Sequence, residues 1–470
     1  MPDPTQTFPD HFLFGVAAAS YQVEGAADEG GRGPSIWDAF CAQPGRVHRG
    51  QDGSVACDQY HRHEEDAQLI ADLGVKAYRI SVAWPRVLPG GDGSPNEEGL
   101  AYYDRLVDAL LDRGVQPWIT LFHWDLPQAL QLRGGWLNRE VVGWFRGYTR
   151  VVVDRLSDRV SDWFTLNEPA CFVGMGHYTG EHAPGLRLPV DQVLRVQHHS
   201  NLCHAAAVDV LREHAKTPAR VGAAPTGKVS FPATAPGEDA DPADAEAAAP
   251  ETFVVRDNEG MFFNHALSGD PMVLGSYPDS LLRLFGDRMP DGFEADLPGI
   301  QRELDFYGIN IYNGQPVKAD AQGNAVRQEP SIGPPTTAIG WPVEPACIYW
   351  AAKQIHARYG LPMHITENGL ASMDWVHADG RVHDPGRIDY TARHLWWLRR
   401  AVSEGVPVEG YFHWSVMDNF EWALGYSKRF GLIYVDYETQ ERIPKDSYRW
   451  FAEVVKSRGA SLPETLAPLR

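Results

Sequence analysis

Cysteine is scarce, with five residues in 470, an odd number with no two in Cys-x-x-Cys spacing. That speaks against a disulfide framework and a thiolate zinc site and leaves scattered core thiols. Excess positive charge is missing as well. Forty-two Lys and Arg stand against 62 Asp and Glu, a formal net charge of −20. A surface of that sign repels nucleic acid and anionic membranes, so neither is expected as a partner, whereas a neutral small molecule is not disfavoured. No run of about 18 apolar residues occurs, the length a membrane-spanning helix needs. The first residues lack the basic stretch and apolar run of a secretory signal, and the expected location is cytoplasmic. No short tandem repeat of solenoid type is present.

What is there is apolar and aromatic. Hydrophobic residues make up 43% and charged residues 22%, the balance of a globular chain able to bury a large core. Fifteen Trp and 18 Tyr exceed what a core needs, because each carries a polar group that wants a partner. Most serve the core. The remainder suit a sugar, whose C–H face packs on an aromatic ring while its hydroxyls bond at the edge.

Short apolar, β-rich runs recur at 12–17, 75–81, 116–122, 161–167, 220–224, 305–312, 362–368 and 408–415. Each reads as a strand buried on both faces. Between them, helical spacing occupies 64–73, 98–113, 140–156, 190–213, 345–359 and 387–404. Alternation of this kind gives parallel strands with right-handed crossovers. Eight such units predict one (β/α)8 barrel domain over residues 1–470. Residues 232–250, rich in Ala, Asp, Glu and Pro, read as a surface loop or loose helix, and 314–341 as a loop-rich insert.

Chemistry in such a barrel sits at the C-terminal ends of the strands. The ends read here carry Ser20 to Gly25, Arg79, His123-Trp124-Asp125, Asn167-Glu168-Pro169, Asn310-Ile311-Tyr312, Glu367-Asn368-Gly369 and His413-Trp414-Ser415. Glu168 and Glu367 each follow an apolar strand and precede a Pro or Gly turn. A lone Glu there is more often a cap or a structural ion-pair partner. Two, framed by Asn, Trp, Tyr, His and Arg, form the carboxylate pair that glycoside hydrolysis requires.

The chain resembles glycoside hydrolase family 1, the β-glucosidases. The likeness runs from Phe8-Pro9 and Phe12-Leu13-Phe14-Gly15 to Arg429-Phe430-Gly431-Leu432. Segments 165–169 and 365–369 resemble the family's acid/base and nucleophile signatures. Segments 20–25, 78–87, 122–127 and Glu421-Trp422 resemble its sugar-binding parts. The resemblance implies a retaining β-glycosidase with Glu367 as nucleophile and Glu168 as acid/base, their oxygens about 5–5.5 Å apart. Arg79 and Tyr312 would keep Glu367 ionised, and repulsion from Glu367 would raise the pKa of Glu168. Asn167 would bind the 2-hydroxyl; Gln22, His123, Glu421 and Trp422 would hold the 3-, 4- and 6-hydroxyls. Trp124, Asn310 and Phe430 belong to the same expected sugar-binding set, Trp414 to its floor, and Trp341 to the platform beyond the cleaved bond. Cys171, Phe172, His177 and Tyr178 are expected at the entrance. The family often has Asn-Tyr-Tyr where this chain has Asn310-Ile311-Tyr312.

No cofactor or metal is implied. His61, His63, Glu64 and Glu65 cluster in sequence, but at a helix start in a segment that the family shares. The expected ligand is a β-glucoside or cello-oligosaccharide, which would place the chain in cellulose breakdown. Glu421 would repel a 6-phosphate, although Lys428 nearby argues weakly the other way. Transglycosylation, galactoside or fucoside cleavage, and 6-phosphoglucoside cleavage share the same catalytic residues. A catalytically dead sugar-binding relative would lack one or both Glu, and both are here. The oligomeric state is not legible.

Overall fold

The computed structural model describes residues 7–233, 240–258, 260–329, 332–467 and 469. Eight parallel strands form the barrel: β1 Leu13–Ala17, β2 Ala77–Ser81, β3 Gln116–Phe122, β4 Asp162–Asn167, β5 Arg220–Ala224, β6 Tyr307–Asn310, β7 Met363–Asn368 and β8 Val408–Trp414. They follow one another around the ring, with β1 paired to β8. The β5–β6 seam lacks a regular ladder. Individual bonds close it: Val221 N donates to Asp305 Oδ2 at 2.6 Å, and Asn310 N to the Pro225 carbonyl at 3.1 Å. The (β/α)8 barrel expected from the alternation is therefore the fold, with strand ends trimmed by one or two residues.

Burial on both faces explains why these strands read as continuous apolar runs; all five residues of β2 are buried. The barrel floor is aromatic. Trp118 packs among Phe164, Phe306, His364 and Phe412, with ring centroids 4.9–5.7 Å apart. Outside lie α1 Gln59–Asp72, α2 Glu97–Leu111, α3 Val141–Leu156, α4 Val190–His214, α5 Phe293–Ile300, α6 Ala346–Tyr359, α7 Pro385–Ser403 and α8 Asp446–Lys456. Phe8, ahead of β1, donates its N–H to the Arg458 carbonyl just after α8.

Two local readings need correction. Helix α1 starts at Gln59, before the expected 64, because a first turn is set off from the regular helix by Arg62 (φ −112°). Segment 314–341 holds two strands, Gly314–Ala319 and Ala325–Arg327, joined to Val229–Pro232 in a small separate sheet. Their half-exposed faces gave no clean apolar alternation. Segment 232–250, read as a surface loop or loose helix, carries a helix, Pro242–Glu251, capped by Asp241; residues 234–239 lie outside the described residues. No helix among the described residues is long and apolar enough to cross a membrane.

Candidate active site

Both carboxylates stand where a strand loses register with its neighbour. The β4–β5 ladder shifts between Phe164 and Asn167, and the β7–β6 ladder between Ile365 and Glu367. Such bulges re-aim side chains and cluster beside active sites. Glu168 is also held at positive φ (43°), as are Trp124 (78°) and Trp422 (48°). A non-glycine residue pays about 1–3 kcal/mol for such a conformation, which persists only where surroundings enforce it. Here the Glu168 N–H is tied to the Ala224 carbonyl at 2.9 Å.

Glu367 receives two donors that favour its charged form. Arg79 Nη1 reaches Oε1 at 2.7 Å, and the Tyr312 hydroxyl reaches Oε2 at 2.7 Å. The guanidinium is itself fixed: Nε donates to Thr120 Oγ1, Nη2 to Asn167 Oδ1, and its plane lies over the Phe164 ring. Burial leaves the Glu367 carboxyl above its ordinary value, with Arg79 and Tyr312 offsetting part of the rise.

Glu168 is raised further. Burial is the largest cause and repulsion from Glu367 the second; bonds from Cys171 and Asn310 lower it. Repulsion was the cause expected from sequence. The structure ranks desolvation above it, because Glu168 is only 6% exposed in a water-poor barrel mouth.

Asn310 ties the strand ends together. Its Nδ2 donates to Glu168 Oε1 at 2.9 Å and to Asn167 Oδ1 at 3.0 Å, while Thr366 Oγ1 donates to its Oδ1. Asn167 turns its oxygen to Arg79, so its amide nitrogen faces His123 Nε2 at 3.0 Å. The amide N–H donates, so His123 Nε2 accepts, which makes His123 a neutral imidazole with its proton on Nδ1. Burial, then Arg79, holds its pKa well below the ordinary histidine value.

The remaining expected residues line one wall. Gln22 gives Nε2 to Asn419 Oδ1 and the Phe420 carbonyl, leaving its buried Oε1 without a partner. Among the described residues, no protein group donates to the Glu421 carboxylate. Burial, with Glu367 and Glu168 behind it, pushes that group up to about 8. The Trp422 ring packs on Trp124 and His123, and Trp414 stacks beside His123 at 5.7 Å. Trp124 uses its Nε1–H on the Asn167 carbonyl and so offers its ring. Across the mouth, half-buried Trp341 packs near Tyr312 and Phe430, at 5.3 and 6.3 Å. Every expected sugar-site residue thus belongs to one contact network around the two carboxylates, or to its rim.

The segment after Glu168 differs from expectation. Residues Ala170–Thr179 form a π-helical stretch. That winding turns Phe172 inward onto Phe122 and Trp136, and His177 onto the Phe172 carbonyl. Neither lines the entrance. Cys171 instead touches the acid pair: its Sγ lies 3.0 Å from Glu168 Oε2. Thr366 was also missed as the residue orienting Asn310; its place directly before Glu367 was the available signal. His61 bonds Asp58 and Glu29, and His63 the Tyr60 carbonyl.

A mouth with two buried carboxylates held by different donors, unpaired acceptors and aromatic walls is fitted to cleave a neutral polyhydroxyl ligand by acid–base and nucleophilic chemistry. Comparison with known proteins agrees. The chain matches "Glycosyl hydrolase family 1" over residues 4–460. It is 45% identical over 455 residues to "Beta-glucosidase A" of Thermotoga maritima, covering 96% of this chain and 98% of that one. It is 42% identical to the "Bifunctional beta-D-glucosidase/beta-D-fucosidase" of Bifidobacterium breve, covering 97% and 100%. The solved β-glucosidase from T. maritima in complex with deoxynojirimycin superposes with a TM-score of 0.87 at 44% identity, covering 97% and 99%.

Proposed function

The chain belongs to glycosyl hydrolase family 1, as a glycoside hydrolase of the β-glucosidase type, and from that premise we propose that it releases terminal β-D-glucose with retention, through a covalent glycosyl-enzyme. The observation that carries this reading is the unequal treatment of the two carboxylates. Glu367 has Arg79 and Tyr312 to keep it charged, while Glu168 is buried opposite that charge and holds its proton.

In the first half-reaction Glu367 attacks the anomeric carbon as the bond to the leaving oxygen breaks, and that oxygen takes the proton of Glu168. Esterification removes the negative charge of Glu367, so the pKa of Glu168 falls. Glu168 then accepts a proton from water, whose oxygen displaces Glu367 and frees the sugar. Asn167 meets the 2-hydroxyl. Gln22, His123 and Glu421 take the hydroxyls at the closed end, Glu421 bridging two neighbours. Trp414 and Trp422 pack on the ring, and Trp341 with Phe430 flanks the departing group. Asn310 acts through Glu168 by fixing its orientation. Residues 1–470 work as one catalytic unit, a reading supported by the bond from Phe8, ahead of β1, to Arg458, just after α8.

Fucoside cleavage is a second activity of the same site, favoured by the named specificity of the B. breve relative. Cello-oligosaccharides are the natural substrate class that the open Trp341 side accommodates. A proton NMR time course on an aryl β-glucoside tests the reading: β-glucose forms first and mutarotates later. First appearance of the α-anomer would exclude a double displacement.

A further inference from the structure

Two donors reach the two oxygens of Glu168, and they differ in kind. Asn310 Nδ2 faces Oε1, and its amide cannot turn round, because Thr366 donates to its Oδ1 and its other N–H is given to Asn167. An amide NH2 donates and never accepts, so Oε1 cannot carry a proton toward it. Oε2 faces the Cys171 thiol at 3.0 Å, its one hydrogen-bond partner among the described residues. A thiol both donates and accepts, and its hydrogen rotates. The proton that Glu168 transfers therefore belongs on Oε2.

We propose that Cys171 is a positioning residue for the reaction, resting on the reading of Glu168 as acid/base. Its S–H donates to Oε2 while Glu168 is a carboxylate, and its sulfur accepts from Oε2–H while Glu168 is an acid, until that proton passes to the leaving oxygen. Backbone geometry supports the pairing. Cys171 N donates to the Glu168 carbonyl at 2.9 Å, and the π-helical stretch points the thiol back at the carboxyl. The thiol stays protonated, since burial and then the Glu168 charge hold it well above the ordinary cysteine value. The other groups facing Glu168 and Cys171 are Glu367 from β7, Arg79 from β2, Asn310 from β6, and Glu421 and Tyr312 from the loops after β8 and β6. None of these bonds Oε2.

Cys171→Ser and Cys171→Ala, with the pH profile of kcat/KM on an aryl β-glucoside, test this. A hydroxyl is the stronger donor to a carboxylate, and a methyl is none. The basic limb therefore falls in the order Ser, Cys, Ala from low to high pH, with steps of about half a unit or more. On a dinitrophenyl glucoside, where release of the sugar from the enzyme limits turnover, the alanine variant loses several-fold in kcat and the serine variant does not. Basic limbs of both variants superimposed on the wild type would overturn the proposal. If the alanine variant does not fold, the serine limb decides by itself in the same way. Glu168→Gln is measured alongside. Full rate on an unactivated alkyl glucoside in that variant would remove the acid/base reading of Glu168 itself. Loss of that rate with unmoved cysteine limbs would remove only the role of Cys171.

Discussion

Two buried polar regions lie close together at the barrel's C-terminal face, and they are built on opposite rules. Behind the loops after β7 and β8, three cations meet three carboxylates. Arg387 bonds Asp374 and Asp384, Lys445 bonds Asp374 and Asp418, and Arg429 bonds Asp418. Spare donors go to backbone: Arg387 also reaches the carbonyls of Leu370 and Phe430. Burial would raise the Asp374 carboxyl, but Arg387 and Lys445 overcome it and hold the group down at about 2. In the mouth, three carboxylates face one guanidinium, Arg79. Half-buried Glu421 has no protein donor among the described residues, and the buried Gln22 Oε1 and His123 Nδ1 have no partner. A buried polar group left unpaired destabilises the fold. The first region is complete and rigid, and it fixes the loops that carry Phe430 and Glu421. The second is unfinished in a way that a ring of hydroxyls would finish.

If this contrast holds, mutations in the two regions should trade places in what they damage. The largest effect belongs to the mouth. Glu367→Gln, which keeps hydrogen-bond partners for Arg79 and Tyr312, should lose about three or more decades in kcat with little change in melting temperature. Near-normal turnover in that variant would break the account. Next comes the paired cluster. Arg387→Met leaves Asp374 and Asp384 buried without their shared cation and should cost about 3–5 kcal/mol in denaturant unfolding. A loss within error of zero would mean that water replaces the pair.

The smallest effect sharpens the comparison through pH. The folded Glu421 carboxyl titrates at about 8, well above its ordinary range near 4.5. The folded state therefore keeps a proton that the unfolded chain has released, and stability drains away as pH rises between those values. Asp374 has the opposite sign: its contribution is full above its ordinary pKa of 3.8 and is lost as pH falls through about 2. Glu421→Gln should accordingly weaken substrate binding, raising KM by about tenfold, yet melt higher than wild type at pH 8 and about equally at pH 5. A variant that melts lower at pH 8 would show that Glu421 is paired after all.

Much of this was legible in the chain. Eight short apolar runs, each followed by a longer stretch of helical spacing, pointed to the barrel, because their length and order, not their periodicity, mark them as strands. The carboxylates were visible because Glu168-Pro169 and Glu367 to Gly369 end such runs. What could not be read was orientation. The register shifts beside both residues, and the positive φ of Glu168, depend on the ladders of neighbouring strands. The inward turn of Phe172 and His177 follows from a π-helical stretch that no side-chain pattern marks. The rank of burial over repulsion at Glu168 needed the depth of the mouth, which only the folded chain supplies.

In the proposed mechanism Glu367 bonds covalently to the sugar and Glu168 does not. A 2-deoxy-2-fluoro β-glucoside with a good leaving group slows release of the sugar and lets the intermediate accumulate, so mass spectrometry of the digested protein reads the site directly. The account predicts one added fluoroglucosyl group, on the peptide containing Glu367 and absent from Glu367→Ala. A label on Glu168, or full inactivation with no covalent label, would contradict it.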